Sequence, residues 1–156
     1  MAILKIVKFD NPMIRKVSRP VEAITPRIIT LLDDMIDTMR AAEGCGLAAV
    51  QVGVLRRVVV IEVEEGKVLE LINPKIISYS GHQEEMEGCL SNPGHYGITS
   101  RPATVVVRAQ NRKGEEYEIR GEGLLARAIC HECDHLDGKL YTDSQIRELS
   151  ADEIGR

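Results

Sequence analysis

His131, Glu132 and His135 stand as HExxH within residues 123–136, where Leu124, Leu125, Ala128 and Ile129 recur at helical spacing. On a helix, positions four apart lie one turn apart on the same face, so two imidazoles can grip one ion. Glu132 is turned about 100° from His131. From there its carboxylate can reach a water on that ion without ligating the ion itself, which is general-base geometry. Leu124 and Ala128 continue the His131 and His135 stripe, so the histidine face is predicted to be buried, where unpaired imidazoles would cost stability.

A catalytic ion of this kind needs a third protein ligand and an open fourth position. The extended motif HExxHxxGxxH is not met: Gly138 fits, but Tyr141 stands where the third histidine belongs. Glu148 and Glu153, the downstream carboxylates, lie in a polar tail without a helical pattern. Cys89 is the stronger candidate. It sits in Glu87, Gly88, Cys89, Leu90 and Ser91, a non-helical segment from which a thiolate can approach the helix from the side. The alternative fate of a free cysteine there is a small buried core residue.

Residues 44–51, GCGLAAVQ, superficially fit the dinucleotide pattern GxGxxA, yet they follow a helix pattern instead of a strand and open no helix. The better reading is a glycine-flanked extended segment whose backbone pairs with a peptide and whose Gln51 offers an amide donor to an oxyanion. Cys130 and Cys133 form a CxxC, but Asp134 stands where haem attachment requires histidine, and no second CxxC completes a zinc ribbon. Both thiols are predicted to point away from the histidine face and to be buried and inert.

The elements that must hold these groups can be read from periodicity and punctuation. Thr25 and Pro26 read as N-cap and first turn of a helix over 26–42, with Ile28, Leu32, Met35, Ile36 and Met39 on one face and a stop at Gly44. Residues 57–63 read as a strand buried on both faces, and 68–77 as its hairpin partner around a break at Pro74, with Gly66 in the turn. A second hairpin joins 103–109 to 115–120 through the polar turn 111–114. The tail, 143–156, is expected to form at most a weak helical turn or two. Hairpins with two separated helices predict an α+β fold: small antiparallel β-sheets packed around a central helix that carries HExxH, plus one N-terminal helix.

The 156 residues, 44% hydrophobic and 28% charged, suit one domain spanning 1–156. The net charge of −4 supplies no positive field for direct nucleic-acid binding. The basic residues Arg101, Arg108, Arg112, Lys113 and Arg120 are interleaved with Glu115, Glu116 and Glu118. Lys5 and Lys8 interrupt any apolar signal core, and no stretch approaches the ~20 apolar residues of a membrane span. A cytoplasmic location without membrane attachment is expected, and with it reduced cysteines.

GCGLAAVQ at 44–51, EGCLS at 87–91 and HECDH at 131–135 together resemble, in order and spacing, the three motifs of the peptide deformylases, and the similarity runs over residues 10–140. Two positions depart from the family pattern: Cys130 replaces the usual glutamine and Asn92 an apolar residue. The resemblance implies hydrolysis of the N-formyl group from the formylmethionine of newly made polypeptides, releasing formate. Cys89, His131 and His135 would bind one divalent metal ion. Glu132 would move the proton, and Gln51 with the backbone N–H of Leu90 would hold the oxyanion.

It further implies a methionine pocket walled by Leu124, Ala128 and the aliphatic stem of Arg127, with the peptide backbone pairing along Cys45, Gly46 and Gly88. An ion pair between Glu43 and Arg101 would brace the Gly44 loop. Fe(II) would be the physiological ion, with zinc, nickel or cobalt accepted in preparations, since a thiolate with two imidazoles does not choose among these by affinity alone. Formylmethionyl peptides or nascent chains would be the partners, with room for a transient ribosome contact. The residues leave two rivals open: a zinc metallopeptidase of the HExxH type, and a non-catalytic structural metal-binding protein.

Overall fold

The computed structural model describes residues 2–154. In chain order the elements are α1 (Pro26–Ala41), β1 (Gly46–Ala48), β2 (Val58–Glu64), β3 (Lys67–Ser80), β4 (Gln83–Gly88), β5 (Tyr96–Arg101), β6 (Thr104–Gln110), β7 (Glu116–Glu122), α2 (Leu124–Leu136), β8 (Arg147–Glu148) and α3 (Ala151–Ile154). Short 3-10 turns occupy Pro12–Arg15, Ala49–Val52 and Tyr141–Asp143. Two antiparallel sheets result, one in the order β1-β2-β3-β6-β7 and a smaller one in the order β4-β5-β8. The α+β class and both expected hairpins are present.

The packing of β2 explains why its first four residues, Val58 to Ile61, are an unbroken β-branched run. Val59 and Ile61 face α2, packing with Ala48, Ile129, Cys133 and Leu136, while Val58 and Val60 face α1, packing with Leu32, Met35 and Met39. Successive side chains point to opposite faces, so the half of the strand with a helix on each side, Val58 to Ile61, is apolar at every position, while Glu62 and Glu64 stand at its less buried end.

α1 begins at Pro26, whose fixed φ suits the first turn, but the Thr25 side chain makes no capping hydrogen bond. The helix stops through Glu43, which takes a left-handed φ of 58°, while the Gly44 N–H donates to Met39 O. β3 does not break at Pro74: it runs through to Ser80, and a register shift between Ile72 and Lys75, with Asn73 at φ 53°, absorbs the proline. The Asn73 amide secures this bulge by donating to Val21 O at 2.9 Å and Gln110 Oε1 at 3.0 Å.

α2 buries Ala128, His131 and His135 as the stripe predicts, but Leu124, in its first turn, is 55% exposed at the mouth of a cleft. Gly123, at φ 57°, makes the turn from β7 into this helix. β4 and β5 escaped the periodicity reading because β4, QEEMEG, is acidic rather than alternately apolar. The tail does more than expected, since Arg147–Glu148 adds to β5 as an edge strand before the single turn of α3. No helix among the described residues is long and apolar enough to cross a membrane.

Ile61, fully buried between β2 and α2, should not tolerate truncation. Ile61→Ala is expected to lower unfolding free energy by about 2–5 kcal/mol, as read by urea denaturation.

Candidate metal centre

α2 carries His131 and His135 one turn apart, with ring centroids 4.9 Å apart and planes at 70°. β4 ends at Gly88, and the next residue, Cys89, turns its thiol toward that helix face, with Sγ 3.3 Å from His135 Nε2. One donor atom from each of Cys89, His131 and His135 lies within 4.8 Å of the other two. One sulfur and two imidazole nitrogens suit a borderline divalent transition ion and leave a tetrahedral fourth position free. A fourth candidate donor is kept out of the cluster: Glu132 Oε1 is buried with no partner among the described residues. Such an orphaned carboxylate oxygen fits a site that takes up an ion and its water.

Gly46 makes room for that carboxylate, since a Cβ there would stand 2.6 Å from Glu132 Oε2. A side chain at this point of β1 would force the carboxylate to shift. Burial, the largest influence on Glu132, raises its pKa to about 7. Burial also disfavours charge on both imidazoles. At His131 the neighbouring Glu132, Cys89 and Glu87 outweigh it and raise the pKa, whereas at His135 burial together with His131 holds it well below the ordinary value.

Behind His131 lies Glu87, whose side chain is 4% exposed. His131 Nδ1 donates to Glu87 Oε2 at 2.5 Å, which fixes the tautomer and leaves Nε2 as the lone-pair nitrogen. Arg101 donates to Glu87 from Nε at 3.1 Å and Nη2 at 2.6 Å, Arg127 from Nη1 at 2.8 Å, and Thr99 from its hydroxyl at 2.7 Å. Burial opposes the Glu87 charge, yet the hydrogen bonds from His131 and Arg101 hold its pKa well below the usual carboxylate range.

The expected Glu43–Arg101 ion pair is not formed. The alternation of β5 turns Thr99 and Arg101 inward, so Arg101 pairs with Glu87 and, through Nη1 at 2.7 Å, with Asp134, while Glu43 stays exposed. Arg127 also does more than lend a stem, because its guanidinium is buried in this network.

Gln51 lies in the 3-10 turn that follows β1 and is 1% exposed. Its Oε1 accepts from Ala48 N–H at 2.9 Å, which orients Nε2 toward Ser91 Oγ at 3.0 Å and Cys89 Sγ at 3.5 Å. A cleft of about 520 Å³ opens beside these groups, lined by Cys45, Gly46, Gln51, Gly88, Cys89, Leu90, Leu124, Arg127, Ala128, His131 and Glu132. His135 is buried behind it. Cys130 and Cys133 are free and buried in the core, and burial pushes their thiols to about 11 and about 12.

Glu87, Thr99 and Asp134 were missed as supporting residues, and so were Met86 and Tyr96, which also line the cleft. Glu87 stands in an acidic run with Glu84 and Glu85, and only its position just before the Gly88–Cys89 pair hinted at a special place.

The family profile for polypeptide deformylase matches residues 3–151. The chain belongs to the polypeptide deformylase family. It is 59% identical over 148 residues to a peptide deformylase of Alkaliphilus metalliredigens, covering 95% of this chain and 100% of that one. A peptide deformylase of Acetivibrio thermocellus is 55% identical over 156 residues, covering 100% and 91%.

Among solved structures, a peptide deformylase from Legionella pneumophila superposes with a TM-score of 0.90 at 41% identity, covering 99% of this chain and 96% of that one. Another from Ehrlichia chaffeensis, in complex with actinonin, gives 0.90 at 38% identity, covering 98% and 92%. The family removes the N-formyl group from nascent polypeptides and is metal-dependent, and this chain is a metallohydrolase of that family.

Glu87→Gln keeps the shape of the side chain while removing the charge that orients His131 and neutralises two guanidiniums. Metal affinity is expected to fall about 10- to 100-fold in a competitive chelator titration, and native affinity would show that His131 is held by other means.

Proposed function

We propose that Cys89, His131 and His135 are the protein ligands of one divalent ion in a single catalytic domain spanning 1–156, and that Glu132 handles the proton in hydrolysis of the N-terminal formamide. The observation that carries this reading is the convergence of one thiol and two imidazoles within 4.8 Å, with the unpartnered Glu132 Oε1 alongside. When bound, the ion supplies Lewis acidity and lowers the pKa of a water toward ~7.

Glu132 Oε1 takes one proton from the attacking water. As a C–O bond forms at the formyl carbon, the carbonyl oxygen gains charge and receives hydrogen bonds from Gln51 Nε2 and the Leu90 N–H. Collapse breaks the C–N bond, and Glu132 returns the proton to the leaving amine, giving a free N-terminus and formic acid, which ionises to formate as its proton passes to the amine or to solvent. A carboxyl group with its pKa raised to about 7 is matched to both transfers near neutral pH.

The substrate is a formylmethionyl peptide or nascent chain. Its methionine side chain enters between Leu124, Ala128 and the Arg127 stem, where Met86 adds apolar surface. Its backbone runs past Cys45, Gly46 and Gly88. β1 and β4 are each at the end of their sheet, so both have a free edge able to pair with an extended peptide. Fe(II) is the physiological ion, with zinc, nickel or cobalt able to replace it. The enzyme works in the cytoplasm, where nascent chains are made, in transient contact with the ribosome and without binding nucleic acid directly or attaching to a membrane.

The metallopeptidase alternative requires a carboxylate ligand, but Glu148 is paired with His95 and Glu153 with Arg147. A closed structural site requires a fourth protein ligand, whereas the side of the cluster facing the cleft carries none among the described residues.

Protein loaded with Fe(II) under anaerobic conditions is expected to release formate from formyl-Met peptides and to leave internal peptide bonds intact. Gln51→Ala should fold, by circular dichroism, and lose about 10²- to 10³-fold in turnover; native turnover would remove Gln51 from the mechanism. Cys89→Ser should lose metal and activity together, and retention of both would exclude the thiolate as a ligand.

A further inference from the structure

Tyr141 interrupts the extended metallopeptidase motif, and Asn92 is polar where the family pattern has an apolar residue; in the fold these two residues meet. Tyr141 follows α2 in the short turn Tyr141–Asp143 and is 2% exposed. Its ring stacks on His131, with centroids 6.0 Å apart and planes at 25°, and packs at 5.9 Å against Phe9. Its hydroxyl accepts from Asn92 Nδ2 at 3.0 Å and donates to His95 O at 3.2 Å. Donor and acceptor capacity are both used, as a buried hydroxyl requires.

The loop 89–95 is thus fastened to Tyr141 at two points. Inside it, Asn92 N–H donates to Cys89 O at 2.9 Å, so the Asn92 amide is one tight turn from the thiol. Ser91 O accepts from Phe9 N–H at 2.9 Å, which ties the same loop to the other ring in contact with Tyr141. One buried side chain therefore touches the loop that delivers Cys89 and the imidazole of His131. The polar residue at position 92 has a physical reason: an apolar one would leave the Tyr141 hydroxyl with a single partner.

We infer that Tyr141 is a positioning residue for the metal centre, its ring steadying His131 while its hydroxyl, through Asn92 and His95, sets the Cys89 loop at the height of the two imidazoles. This rests on the reading of Cys89, His131 and His135 as the ligands. A free loop would deliver its thiol over a range of positions. Fastening it beforehand removes that ordering cost from metal uptake, and it belongs with the outer partners that orient metal ligands.

Co(II) titration of the full chain tests this, because thiolate-to-cobalt charge transfer reports the Cys89 bond apart from activity. Tyr141→Phe keeps the ring and removes both hydrogen bonds. It is expected to weaken Co(II) binding about tenfold, to shift the charge-transfer band, and to lower kcat with KM changed by less than about twofold. Asn92→Leu, which severs only the loop side, should move affinity and band in the same direction. Leu32→Ala, beneath α1 on the far face of the larger sheet, should lower Tm and leave affinity and band alone.

Native affinity and spectrum in Tyr141→Phe would overturn the inference, as would the same loss of affinity in Leu32→Ala. Should Tyr141→Phe not fold, Asn92→Leu decides, and native binding there overturns it. Absence of a thiolate band in the unsubstituted protein would defeat the ligand assignment and this inference with it. A native band there with native binding in the variants would defeat this inference alone.

Discussion

A carboxylate as deeply buried as Glu87 persists only if fully compensated, since an isolated buried charge costs several kcal/mol or more. Here compensation comes from two separate elements: Arg101 and Thr99 on β5, and Arg127 and His131 on α2. The smaller sheet and α2 are therefore locked in one relative position by a single ionised group. That lock decides where Cys89, two residues after Glu87, meets the imidazoles, and it sets the tautomer of one of them. Arg101 extends it to Asp134, so the same helix is gripped before the HExxH motif, at Arg127, and within it, at His131 and Asp134.

The cleft follows from how the two sheets end. β1 closes the larger sheet and β4 the smaller one, and neither has a strand neighbour on its outer side among the described residues. Unpaired strand edges are normally guarded against, and these two line the same cavity as the candidate metal ligands. β1 approaches so closely that a side chain at Gly46 would displace the Glu132 carboxylate, and one at Gly44 would displace the Leu90 side chain. Gln51 is held ready rather than free, because Ala48 N–H occupies its carbonyl oxygen and so aims its amide nitrogen at the Cys89 side of the cleft.

Burial sorts the chain's thiols by role. Cys130 and Cys133 share α2 with the histidines but face the sheet, where apolar surroundings keep them protonated. Cys89 is only half-buried and stands 3.3 Å from His135 Nε2, open to the cleft. The thiols thus have different surroundings because a helix and a strand end present them to different neighbours.

The sequence by itself determined the elements whose signal is local. HExxH on an amphipathic helix, the doubly apolar stretch at 58–61 and the two hairpins each follow from side-chain period and turn residues within a short window. The three motifs, taken in order, also pointed to the family and to the residues that the fold brings together at one cleft. Sequence did not reveal β4 and β5, whose acidic and mixed faces carry no period, nor that Pro74 lies inside a continuous strand, because the Asn73 bulge is fixed by Val21 and Gln110 from distant segments.

Only the tertiary structure decided which charge meets which. Glu43 and Arg101 were matched by motif position, but β5 alternation buried Arg101 against Glu87 and Asp134 and left Glu43 in water. Ion pairs and hydroxyl bridges such as Asn92–Tyr141 join residues 49 positions apart, and their partners are chosen by packing of whole elements, for which a linear pattern holds no physical signal.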